Sequence, residues 1–197
     1  MARPARLAAS AAPAAPGRVD AQRNRQRLIE VAHQAFTTGD GKVSLEAVAK
    51  QAGVGIGTLY RHFPTREALV EAVYLAERGR LCDAAAGLLA EQPPERALRT
   101  WMGRFADYIA TKQEMADSLR VLIADGTVTK SQAREQLSDA VRGILDAGAA
   151  AGTIRAEARA EDVVVALVGV VSVCTLPEQR DQVERLFDLL MAGLVAH

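Results

Sequence analysis

Between residues 44 and 63, SLEAVAKQAGVGIGTLYRHF, five residues fall on one side of a short helical pattern: Gly55, Gly57, Thr58, Arg61 and His62. They are small, hydroxylated or basic, so the chemistry they offer is noncovalent. Hydroxyls and charges can meet phosphate oxygens, and small residues let a backbone approach the edges of bases. A helix with such an outer face can lie in a DNA major groove with its N-terminal end toward the bases. Val54, Gly55, Ile56 and Gly57 stand where base edges are approached, and Ile56 can meet a thymine methyl. Arg61 has the length to reach a base or a phosphate. Ser44 and Arg66, at the starts of the flanking helices, are further phosphate candidates through amides and charge.

Two apolar stripes must hold these residues in place. Leu45, Val48, Ala49 and Ala52 fall at i, i+3, i+4 and i+7, one face of a helix. Ser44 is placed to cap it, Glu46 adds negative charge at its positive end, and Gly53 can adopt the left-handed conformation that stops it. Ile56, Leu59, Tyr60 and Phe63 repeat the spacing, with the Tyr60 ring expected to pack while its hydroxyl stays out. A preceding helix is expected from about residue 21 to 37, capped by Asp20, with Leu28, Ile29, Ala32, Ala35 and Phe36 inward and a break at Gly39, Asp40 and Gly41. Pro64 and Thr65 open a fourth helix with Leu69, Val70, Val73 and Tyr74 inward.

The run VSLEAVAKQAGVGIGTLYRHFPTREALVEAVY resembles the amino-terminal domain of the TetR family of bacterial transcriptional regulators. That family's helix-turn-helix typically ends in Thr-Leu-Tyr-x-His-Phe, which here is Thr58 to Phe63. The resemblance covers roughly residues 23–75 and rests on helix spacing, turn glycine and string together. It implies that Thr58, Tyr60 and His62 contact the DNA backbone. It also implies a homodimer on a roughly palindromic operator, its two recognition helices about 34 Å apart in successive major grooves. Gly55 departs from the serine common in the family at the start of the recognition helix, and Gly57 adds a second glycine. An interior glycine weakens a helix by up to about 1 kcal/mol and offers no side chain to DNA, so base readout is expected to lean on Arg61 and DNA shape.

The whole chain has 197 residues, 49% of them hydrophobic, and no net formal charge. Residues 1–75 carry ten Lys/Arg against six Asp/Glu, and residues 76–197 fourteen against eighteen, so a basic part that can meet phosphates precedes an acidic one. Cys82 and Cys174 are too far apart in sequence to suggest a disulfide framework, and with His33, His62 and His197 they form no metal-ligand spacing. A reducing cytoplasm fits. The glycines at 53, 55 and 57 lack both the strand and the spacing of a dinucleotide loop and the lysine of a P-loop, and neither a nucleophile elbow nor a paired carboxylate is evident. No cofactor and no enzymatic activity are expected. Residues 1–19, rich in Ala and Pro with Arg3, Arg6 and Arg18, read as a disordered arm without the apolar core of a signal peptide.

The expected class is all-α: a three-helix DNA-binding domain over residues 20–75, joined through the fourth helix to a larger helical domain over 76–197. Pro93-Pro94 starts a helix whose inner stripe is Leu98, Trp101, Met102, Phe105 and Ile109. Met115, Leu119, Leu122 and Ile123 make a shorter stripe ending near Gly126, and Leu137, Val141, Ile144 and Leu145 a longer one ending at Gly148 or Gly152. Residues 163–173, VVVALVGVVSV, have strand-like composition, yet no other segment offers a strand partner and the run is too short for the ~20 residues of a membrane span. It is expected to be a helix buried on several sides. The resemblance implies a dimer through this helix and the last one, by Val163, Leu167, Val170, Val183, Leu186, Phe187, Leu190 and Leu194. It also implies a small organic effector, for which Trp101, Met102, Phe105, Tyr108, Met115, Leu119 and Cys174 are the candidate lining. The leading expectation is a ligand-released homodimeric repressor; an effector-independent or architectural DNA-binding regulator is the alternative.

Overall fold

The structure is a computed structural model that describes residues 16–38, 43–174 and 176–196. Its helices are α1 (Pro16–Thr38), α2 (Leu45–Gln51), α3 (Ile56–His62), α4 (Arg66–Glu91), α5 (Pro94–Glu114), α6 (Ala116–Ala124), α7 (Lys130–Ala150), α8 (Ala160–Val173) and α9 (Arg180–Leu194), with one 3-10 turn at Pro177–Gln179. Among the described residues there is no strand, only one antiparallel bridge between Ile154 and Val195. Residues 163–173 are helical, as the lack of a strand partner required.

Local signals set most helix ends. The Ser44 hydroxyl accepts from the Ala47 amide at 3.3 Å, and the Thr65 hydroxyl accepts from Ala68 at 3.1 Å, each satisfying a first-turn donor. Pro93 caps α5 with Pro94 at its first position. Gly53, Gly126 and Gly152 have φ of 67°, 82° and 70° and so stop α2, α6 and α7. Two sequence expectations are corrected here. The first helix begins at Pro16, so Asp20 lies inside it and pairs with Arg23 at 3.9 Å rather than capping it. Residues 16–19, assigned to the arm, are its first turn. Residues 1–15 and the expected break at Gly39 to Gly41 lie outside the described residues.

α1, α2 and α3 pack on one another, and α1 also packs on α4 and α5. Leu28, Ile29, Ala32, Phe36, Val48, Ala49, Leu59 and Phe63 are buried between them. α4 then runs unbroken through the expected boundary at 75/76, burying Leu69, Val70, Val73 and Tyr74 first and Leu81, Ala85 and Leu88 further on. Around its second half pack α5, α6 and α7, with α8 against α7 and α9 against α5. Trp101 is wholly buried and its indole N–H donates to the Leu81 carbonyl at 2.8 Å, fastening α5 to α4. α8 is not enclosed all round: Val163, Val164, Leu167 and Val171 are buried, whereas Val165 and Val173 face outward.

The turn after α7 is closed by contact rather than by dihedral freedom alone. The amides of Thr153 and Ile154 donate to the Gly148 carbonyl at 2.9 and 3.1 Å, and the Ile154 side chain folds onto the Gly148 backbone. A Cβ on Gly148 would lie 2.5 Å from Ile154 Cδ1 and 2.8 Å from its Cβ, while one on Gly143, in the same helix, would meet nothing within 4 Å. Gly148→Ala should therefore destabilise by about 1–3 kcal/mol through forced displacement of Ile154. Gly143→Ala should stabilise by roughly 0.5–1 kcal/mol through helix propensity. Urea denaturation of the two variants beside wild type checks the opposite signs.

Candidate nucleic-acid interface

α3 is only seven residues long, and of its expected stripe the structure buries Leu59 and, just past its end, Phe63. Ile56 and Tyr60 are 41% and 44% exposed, a correction to the packing inferred from spacing. The reason is geometric. α3 packs mainly on α2 and α1, so one turn-spaced pair suffices to dock it, and the residues flanking that pair face outward. The outer surface of the motif therefore presents Gly55, Ile56, Gly57, Tyr60 and Arg61, with Val54, Thr58 and His62 half-buried at its edges.

Gly55 caps α3 at φ −66° and makes no side-chain cap bond. Neither Gly55 nor Gly57 has positive φ, and a Cβ at either would meet nothing within 4 Å. Packing inside the chain does not require these glycines. They leave a bare backbone ridge at the helix start, the open approach that the sequence suggested, and α3 has no acidic residue in its first turn while Arg61 and His62 stand in its last.

Ser44 and Arg66 are both engaged within the fold. Besides accepting from Ala47, the exposed Ser44 hydroxyl donates to Glu46 Oε2 at 2.7 Å, and this bond holds the Glu46 carboxyl below the usual carboxylate range. Arg66 donates from Nη1 to the Val43 carbonyl, and its guanidinium lies 5.6 Å from the centroid of the Phe36 ring. It thereby ties α4 to the chain entering α2 and to α1, a positioning role that its place in sequence did not reveal. Conversely, sequence reasoning passed over Arg25. This exposed side chain of α1 sets its guanidinium 5.2 Å from the centroid of the Phe63 ring, at the end of α3. Only the basic character of that stretch hinted at it.

The other candidate residues fall differently from expectation. Val163, Leu167, Val183 and Phe187 are at most 5% exposed within the single chain and so belong to its core, with Val163 also lining the groove between α8 and α9. Val170, Leu186, Leu190 and Leu194 are half-buried. Of the proposed effector lining, Trp101, Met102 and Phe105 are fully enclosed and Met115 nearly so, which makes them core as well. Tyr108 and Leu119 do line a cavity of about 110 Å³ bounded by α4, α5, α6, α7 and α8. Cys174 lines a separate, open concavity with Ile109 and Arg180. An apolar stripe marks the side of a helix that meets its neighbours, and a cavity forms only where that meeting is incomplete. Among the described residues no cluster of His, Cys, Asp or Glu could hold a metal, and no helix is long and apolar enough to cross a membrane.

With this geometry the comparisons agree. A family model described as bacterial regulatory proteins of the tetR family matches residues 28–73, and one described as the C-terminal domain of SbtR-like transcriptional regulators matches residues 93–196, just over half of the chain. The crystal structure of the TetR transcriptional regulator SCO0520 from Streptomyces coelicolor is 46% identical, covers 87% of this chain and 98% of that one, and superposes with a TM-score of 0.78. A TetR transcription regulatory protein from Mycobacterium vanbaalenii is 33% identical over 92% of this chain and 100% of its own, with a TM-score of 0.71. An HTH-type transcriptional regulator of Staphylococcus aureus (strain USA300) is 47% identical over 53 residues. That match spans 26% of this chain and 29% of the relative's length, so it bears on the DNA-binding unit alone. Because the matches extend from the helix-turn-helix through the carboxy-terminal helices, the chain belongs to the TetR family of bacterial transcriptional regulators.

Proposed function

We propose that the protein is a homodimeric repressor that holds a palindromic operator and releases it when a small organic effector enters the helical domain. The observation that carries the DNA-binding part is the outward turn of Ile56 and Tyr60 beside Arg61 and a bare glycine ridge. Such an apolar and an aromatic side chain beside a bare ridge suit a major groove, which supplies thymine methyls and phosphates to them. Thr58, Tyr60, His62 and Arg25 are assigned to the phosphates, Ile56 and Arg61 to the bases.

The dimer is assigned to the outer faces of α8 and α9. Val165 on α8 and Leu189 on α9 are exposed, Leu189 by 69%, and between the helices runs a groove lined by Ala166, Leu189, Leu190 and Gly193. Packing two copies there buries this surface and sets the spacing of the two recognition helices. Effector control follows from α4, which starts at the DNA-binding unit and, through Tyr74, lines the same cavity as Tyr108. A ligand that favours one orientation of α4 changes that spacing, provided it binds the DNA-incompetent state more tightly.

A selection from random DNA should return a palindrome whose half-sites lie about 34 Å apart; an asymmetric single half-site would sink the dimeric reading. Ile56→Ala and Tyr60→Phe should shift stability by no more than about 0.5 kcal/mol, since both are exposed. Leu59→Ala should cost about 2–5 kcal/mol. Ile56→Ala and Arg61→Ala should alter base preference, and Arg25→Ala should lower the slope of log affinity against log salt by about one. Leu189→Arg should give a monomer by light scattering and weaken operator binding ~100-fold or more, because the second half-site is no longer tethered.

A further inference from the structure

The cavity beside Tyr74 and Tyr108, open on the side of Lys130 and Arg134, has an unusual charge make-up. Its body is aliphatic, with Leu119 and Val164 among the walls, but its polar groups are the hydroxyls of Tyr74 and Tyr108 and the cations Lys112, Lys130 and Arg134. No aspartate or glutamate lines it. Four other concavities on the chain each set acidic against basic side chains: Glu77 and Asp107 with Arg80, Glu157 and Asp162 with Arg159, Glu114 with Arg180, and Asp188 with Arg185. Mixed signs are the rule on this surface, and this cavity breaks it.

A fourth cation stands behind the tyrosines. Arg78 is only 6% exposed, its guanidinium lies 5.2 Å from the Tyr74 ring centroid, and among the described residues it forms no ion pair. Lys112 Nζ lies 6.0 Å from the same centroid. A buried guanidinium without a carboxylate is costly, and three more uncompensated cations nearby add to the positive potential. Burial first, and then the neighbouring Tyr74, hold the Tyr108 phenol well above its ordinary range, so it stays a neutral hydrogen-bond donor at every physiological pH. Donors and cations converge with no anion between them.

We propose that this cavity binds a short-chain aliphatic carboxylate, its body against the α6 and α8 walls and its carboxylate met by Lys112 and the Tyr74 hydroxyl, which Tyr108 backs by a hydrogen bond. Lys130 and Arg134, both exposed, close the mouth around the charge. The inference rests on the effector reading above and narrows it to one chemical class. A neutral isostere leaves the cations uncompensated, and an amine is repelled. A volume of about 110 Å³ amounts to roughly four waters at about 30 Å³ each, and it is smaller than the ~150 Å³ that holds a benzene, so the ligand body is a short aliphatic chain.

The test uses the full chain and matched probes: propionate, butyrate and valerate against propionamide, butyramide, valeramide, propylamine and butylamine, by titration calorimetry. At least one carboxylate should bind about tenfold or more tighter than its amide, with no heat from the amines. Lys112→Gln should lose about tenfold of that affinity and Lys112→Arg should keep it. Equal affinity for acid and amide overturns the proposal, as does the absence of binding by every carboxylate at about 10 mM, far above the Kd of a specific site. Operator binding in a gel shift then separates the two readings. A carboxylate that binds but leaves operator affinity unchanged supports the anion site and removes the effector reading; release by a neutral compound alone keeps the effector reading and overturns the anion site.

Discussion

One helix imposes its geometry on everything else. α4 has 26 residues and so spans about 39 Å, longer than either half of the molecule needs, and it must bury one face against α1 at its start and against α5, α6 and α7 beyond. Its N-terminus is fixed by the Thr65 cap and by Arg66 reaching back to the Val43 carbonyl and the Phe36 ring. Its middle is fixed by the indole bond from Trp101 to the Leu81 carbonyl, in a site where an unmatched indole N–H would be expensive. No linker intervenes between these two anchors. The DNA-binding unit and the helical domain are consequently coupled through a rigid element, and the cavity that touches Tyr74 sits partway along it.

The recognition helix shows what little packing is needed to hold a reading surface. Leu59 and Phe63 dock α3, Thr58 and His62 are half-buried at its edges, and Ile56, Gly57, Tyr60 and Arg61 are left to the outside. Gly55 and Gly57 gain nothing from the interior, since no neighbour crowds them and neither takes positive φ. Inside the helix, Gly57 costs up to about 1 kcal/mol, whereas Gly55 at the cap position costs only a few tenths. That expense makes sense for a surface that approaches another molecule closely, and it agrees with a motif in which few side chains reach bases.

Ion pairs decide which face of the last helix is available. Arg99 on α5 donates to Glu184 and Asp188, both at 2.7 Å, and its guanidinium lies 5.8 Å from the Phe187 ring centroid, while Arg180 reaches Asp107 at 2.7 Å. These pairs are partly exposed, so each contributes at most about 1 kcal/mol to stability. Their consequence is rotational. With residues 184, 187 and 188 turned to α5, Leu189 must point away, and the same logic on α8 follows from Arg142 holding Glu161 at 2.6 Å. The apolar surface assigned to the dimer is a by-product of that orientation.

The amino-acid sequence by itself determined the helical class, the helix-turn-helix, the caps at Ser44 and Pro93, and the stops at Gly53 and Gly126, because each depends on dihedral preference or on hydrogen bonds within a few residues, while it left the end of α7 open between Gly148 and Gly152. It also identified one face of nearly every helix as apolar. Tertiary structure alone decided which of those apolar residues are covered. Ile56 and Tyr60 share a stripe with Leu59 yet lie outside, and Val163, Leu167, Val183 and Phe187 were expected at a partner's surface yet fill the chain's own core. Periodicity names a face but carries no information on how many neighbours will meet it. The cation-lined cavity was equally illegible, since Tyr74, Lys112 and Arg134 come from three helices and each alone reads as an ordinary core or surface residue. Charge and apolar wall acquire a joint meaning only when distant segments enclose the same small volume, and that depends on packing, which no local pattern encodes.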